Sequence, residues 1–123
     1  NILRDQAGDI SEGRCYLPED ELRAAGLTTL TWPAADWAPW HAVRRHWLSC
    51  ARSRLQSGRI YVRNLRSLRL RFASLLPLLI GEATLDLLEA QSAGEAPKPA
   101  KIPRSKVKRL LLRGLWLSLT RRI

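Results

Sequence analysis

The 123-residue sequence has no methionine, two cysteines and two histidines, and nowhere a long hydrophobic run. Each shortage excludes something. A chain without methionine that opens on Asn1, inside a motif, is expected to be a piece of a longer protein or a gene remnant whose front is missing. Cys15 and Cys50 form no CxxC pair, which argues against a disulfide framework and suits a reducing compartment. His41 and His46 stand five apart, a poor spacing for a shared metal on a helix, so neither is assigned chemistry. The longest largely apolar stretch, Ala73 to Gly81, falls far short of the ~20 residues that span a bilayer. No secretory signal opens the chain. The expected location is cytoplasmic, with peripheral contact at a membrane surface left open.

Acidic residues are scarce in one half only. Residues 1–62 hold 8 Lys/Arg against 7 Asp/Glu, whereas residues 63–123 hold 13 against 4, within a formal charge of +10. A basic second half attracts phosphate-bearing partners: diphosphates, anionic lipid or nucleic acid. Charge alone does not choose among them. The apolar content is ordinary for a globular chain, and the length suits one domain or part of one.

The informative stretch is residues 1–18. Asp5 and Asp9 are four apart, which on a helix puts both carboxylates on one face, one turn from each other. Two like charges so placed repel. A divalent cation removes that cost, and Mg²⁺ favours one or two carboxylates together with substrate phosphate oxygens. Asn1 lies one further turn back and offers an amide oxygen, while Arg4 beside the pair has a fork suited to phosphate. A bare DxxxD is more often a solvated helix face. This one has flanks: Asn1, Arg4, Asp5 and Asp9, then Gly13, Arg14, Tyr16, Leu17 and Pro18.

In that order and without gaps, these residues resemble the second aspartate-rich motif of the squalene/phytoene synthase family. The family comprises head-to-head prenyl transferases with an all-α isoprenoid-synthase fold. The resemblance implies that Asp5 and Asp9 are catalytic metal ligands for Mg²⁺, that Asn1 supports the metal, and that Arg4, with Arg14 and Tyr16, binds the substrate diphosphate. Residues 70–85 resemble the helix that lines the prenyl cavity in the family. Around Lys101-Ile102-Pro103-Arg104 the resemblance implies a basic segment that reaches the active-site mouth and contacts diphosphate through Lys101 and Arg104. Where relatives often carry Glu-Val-Tyr-Arg, this chain has Lys106-Val107-Lys108-Arg109, so a tyrosine role there has no residue to perform it. The family's first aspartate-rich motif has no counterpart: no other DxxxD occurs, and Asp86 and Glu89 close a leucine-rich helix without the family flanks.

Along the chain, residues 1–11 read as a helix weakened at Gly8 and ended by Gly13. Arg14 to Pro18 reads as an extended exit. A short helix opens at Pro18-Glu19-Asp20-Glu21 and stops at Gly26. Leu27 to Trp32 is expected to be a connector closed by Pro33. A long helix is expected from about Ala34 to Gln56, ended by Ser57-Gly58, with Trp37, Trp40, Val43, Trp47, Cys50 and Ala51 as its core stripe and Arg44, Arg45, Arg52 and Arg54 largely off it. Gly58 to Asn64 reads as a second connector. Leu68 to Gln91 is the most apolar helix, with a kink expected at Pro77. Ser92 to Ala100 reads as a loop. A closing helix runs to about Arg121, its apolar face formed by Leu110, Leu111, Leu115, Trp116 and Leu119.

The expected fold is all-α, the C-terminal part of an isoprenoid-synthase helical bundle over residues 1–123. The function implied by the resemblance is condensation of two prenyl diphosphates (farnesyl or geranylgeranyl) to squalene, presqualene diphosphate or phytoene. This chain would supply one half of the Mg²⁺-diphosphate site, and NADPH would enter only if squalene is the product. The expected partner is the prenyl diphosphate substrate rather than nucleic acid. Two alternatives are a truncated or degenerate member without activity, and a basic helical module for membrane or nucleic acid. The last leaves Asn1 to Pro18 unexplained.

Overall fold

A computed structural model describes residues 2–27, 37–92 and 95–123. Five helices and no strand occur among them: α1 (Ile2–Ser11), α2 (Glu19–Ala24), α3 (Ala38–Asn64), α4 (Leu68–Glu89) and α5 (Arg104–Thr120). The all-α expectation holds. The expected connector at residues 27–33 and the expected helix start at Ala34 fall mostly or wholly outside the described residues.

The chain divides into two compact units. One comprises Asn1–Cys50 with Leu87–Ala100, the other Ala51–Asp86 with Lys101–Ile123.

In the first unit, an apolar cluster of Leu17, Leu22, Leu27, Trp40 and Val43 takes Leu3 and Ile10 from α1, Trp37 just before α3 and Trp47 within it. The tryptophans meet edge to face, Trp37 to Trp40 at 5.9 Å between centroids, a preferred geometry for aromatic pairs. Trp47 Nε1 donates to Glu21 Oε2 at 2.9 Å, which ties α3 to α2. The tryptophan stripe is therefore core, as its spacing predicts. Arg44 departs from expectation, because it is buried rather than off the stripe. Its guanidinium lies 5.3 Å from the centroid of the Trp40 ring, and the ring face replaces part of the lost water. Burial lowers its proton affinity below the usual arginine value. His41 Nε2 donates to the Glu95 carbonyl at 2.8 Å.

In the second unit, Val62, Leu75, Leu79, Ala83, Leu110, Leu117 and Ile123 form the core. Here the helix boundary differs from the sequence reading. α3 does not stop at Ser57-Gly58, and the expected connector Gly58 to Asn64 is its last two turns. Gly58 is a contact point instead: a Cβ built there would meet Leu78 Cδ2 at 2.7 Å. Gly81 of α4 faces Leu55 in the same way, at 3.3 Å. Arg59 binds Glu82 through two bonds of 2.5 and 2.7 Å, and Arg52 binds Asp86 at 2.8 Å. Residues later in α3 thus pair with residues earlier in α4, the signature of an antiparallel helix pair. The turn between them is held by buried Arg71, which donates to the carbonyls of Leu65 and Arg66 at 2.9 Å each and to that of Ser118. Pro77 lies inside α4, which runs on through it.

The face of α5 is also corrected. Leu110, Gly114, Leu117 and Ser118 are buried, while Leu111, Leu115, Trp116 and Leu119 are exposed. Gly114 lets Leu79 and Phe72 approach to 3.4 and 3.5 Å of where a Cβ would stand. That close approach draws the packed side of the helix away from its most apolar side.

Candidate diphosphate-binding half-site

α1 is amphipathic, and its inner face fixes its outer one. Leu3 and Ile10 pack on the first unit's cluster and Gln6 is buried between them. Asp5 and Asp9 follow from that orientation. The Asp5 side chain is 48% exposed and that of Asp9 18%.

The end of α1 explains the Gly-Arg of the motif. Gly13 has φ +73°, a left-handed conformation that glycine adopts without penalty. It closes a Schellman cap: the Gly13 N–H donates to Ile10 O at 2.9 Å and the Arg14 N–H to Asp9 O at 2.7 Å. The cap turns the chain so that Arg14 lies back along the helix, its Nη2 3.8 Å from Asp9 Oδ1. Arg14 is also bonded to Glu12, a partner to which the sequence reading gave no role. The signal was present, since an acid and a base that flank a helix-ending glycine are brought together by the cap.

Arg4 grips Asp5 with two bonds, Nε to Oδ1 at 2.7 Å and Nη2 to Oδ2 at 2.9 Å. This holds the Asp5 carboxyl below its usual range, chiefly through the hydrogen bonds from Arg4, and raises Arg4 in turn. Each carboxylate on this face therefore stands beside a guanidinium. No group of three or more His, Cys, Asp or Glu residues able to hold a metal occurs among the described residues. Two carboxylates one turn apart fit a cation shared with substrate oxygens, and they do not make a protein-only cage.

The other expected residues are placed as follows. Tyr16 is exposed on the segment after the cap, in the same unit. Lys101 and Arg104 are exposed and belong to the second unit, Arg104 as the first residue of α5. Asn1 lies outside the described residues. The structure thus brings Arg4, Asp5, Asp9 and Arg14 together along one helix and its cap.

A sequence model of the squalene/phytoene synthase family matches residues 1–109. The chloroplastic phytoene synthase of Narcissus pseudonarcissus is 35% identical over 113 residues, covering 89% of this chain and 26% of the relative. That of an Oncidium hybrid cultivar is 32% identical over 114 residues, covering 90% and 26%. The chain spans about a quarter of the length of these relatives. No solved structure matches it.

Proposed function

Because this chain belongs to the squalene/phytoene synthase family, we propose that it supplies one half of a Mg²⁺-diphosphate site for head-to-head condensation of two prenyl diphosphates. The observation that carries this reading is the pair Asp5 and Asp9 on one face of α1, each beside an arginine. Mg²⁺, when bound, withdraws electrons from the departing diphosphate as a Lewis acid. Asp5 and Asp9 hold the cation, with Asn1 as a further oxygen donor. Arg4 and Arg14, already ionised and fork-shaped, exchange a carboxylate partner for diphosphate oxygens. Lys101 and Arg104 are further cations suited to bind a substrate phosphate group. Tyr16 contacts substrate at the exit from the motif. The substrates are farnesyl or geranylgeranyl diphosphate, and NADPH is needed only if squalene is the product.

Two carboxylates make half of such a site, so the 123 residues alone should not turn over. Incubated with farnesyl diphosphate and Mg²⁺, they should release no diphosphate above background. Release that scales with the amount of chain and vanishes in Asp5→Asn would overturn the half-site reading.

A further inference from the structure

Helix α3 carries a pair of metal-ligating side chains that the half-site does not use. His46 and Cys50 are four apart, so they lie one turn from each other on one face of the helix. His46 is exposed, and Cys50 is half-buried with a free thiol. His46 Nε2 and Cys50 Sγ stand 3.7 Å apart. The imidazole is held from behind. Its ring meets that of Trp47 edge to face, 5.6 Å between centroids. Trp47 is itself packed on the first unit's apolar cluster and bonded to Glu21.

That separation is the one a shared metal needs. Zn–S is about 2.3 Å and Zn–N about 2.0–2.1 Å, and a tetrahedral angle between them puts sulfur and nitrogen about 3.6 Å apart. A cation entering between the two takes the place of the thiol proton, which leaves for water. Neither side chain has to move far, and both stand on one turn of one helix, so chelation orders no loop. The donors select the metal. Thiolate and imidazole suit Zn²⁺. Mg²⁺ takes oxygen donors, and this pair offers none. No third His, Cys, Asp or Glu joins the pair among the described residues, which leaves two tetrahedral positions to water or a small ligand. We propose that His46 and Cys50 chelate Zn²⁺ across one turn of α3, with the other two positions open. This goes beyond the half-site reading and uses neither Asp5 nor Asp9.

Titration of the 123-residue chain with Co²⁺ tests it, because cobalt on a thiolate gains a sulfur-to-metal charge-transfer band that oxygen ligands do not give. The band should saturate at one metal per chain, be displaced by Zn²⁺, and persist in Asp5→Asn/Asp9→Asn. His46→Gln and Cys50→Ser should each weaken binding about 100-fold or more, since even the groups behind a metal ligand are worth about 10–100-fold. Cys15→Ser should leave the band unchanged. On the parent chain, with no substitution, Zn²⁺ should slow alkylation of Cys50 by iodoacetamide, and Mg²⁺ should not. The proposal is overturned by the absence of the band, by a band that survives in His46→Gln, or by one that disappears in Cys15→Ser or in Asp5→Asn/Asp9→Asn. A band that saturates at half a cobalt per chain shows a metal shared between two copies and overturns it equally.

Discussion

Arg4 acts on the Asp5 carboxylate in two ways, one that would favour a bound cation and one that would compete with it. Arg4 keeps the carboxylate ionised and occupies both of its oxygens. The folded-state affinity for a proton is depressed, so the pair's contribution is present above the unfolded carboxylate pKa of about 3.9. It is lost as pH falls through the lower folded value. Both groups are well exposed, so solvent screening keeps the effect on stability small. The protonation state is the better readout. An NMR titration of the Asp5 carboxyl should give a value below about 3.9, and Arg4→Gln should return it to that ordinary value. An unchanged titration in Arg4→Gln would show that the two are not paired in solution. At this scale the sequence was legible where spacing fixes geometry, as for Asp5, Asp9 and Gly13. It was not legible for Arg44. A helical period sorts residues by face and treats every charge as outward, whereas a guanidinium over a tryptophan ring can be buried.

At the scale of the elements, the glycines divide into those that end helices and those that let helices meet. Gly13 and Gly26 end them, with φ of +73° and +79°. Gly58 and Gly81 admit Leu78 and Leu55. Ser57-Gly58 reads as a stop in sequence because local propensity is all that sequence shows there, and tertiary packing of α3 on α4 overrides it. The same limit misplaced the face of α5: the position of Gly114 against Phe72 and Leu79 decides which side packs, and hydrophobicity alone points elsewhere. Chemical denaturation separates a glycine at a helix contact from Gly8, which lies inside α1 with open space beside it. Gly58→Ile should destabilise the fold by about 1–3 kcal/mol through overpacking. Gly8→Ala in α1, where a Cβ would meet nothing within 4 Å, should stabilise by about 0.5–1 kcal/mol. A Gly58→Ile variant at least as stable as the parent chain would mean that α3 and α4 do not meet at Gly58.

At the scale of the whole chain, chemistry and charge are segregated. The carboxylate pair lies in the unit of Asn1–Cys50 with Leu87–Ala100. Most of the excess positive charge follows residue 62. A family match over residues 1–109 covers the carboxylate pair and the Lys101–Arg104 segment alike. The central claim is that α1 is a metal-dependent diphosphate ligand rather than a charged surface helix, and calorimetric titration of the chain with inorganic diphosphate measures it most directly. With Mg²⁺ present, diphosphate should bind, and Asp9→Asn or removal of Mg²⁺ by chelation should weaken it about tenfold or more, the loss of one charge-assisted contact. Binding of equal strength without Mg²⁺, unchanged in Asp9→Asn and falling only with added salt, would reduce the site to a basic surface and contradict the account.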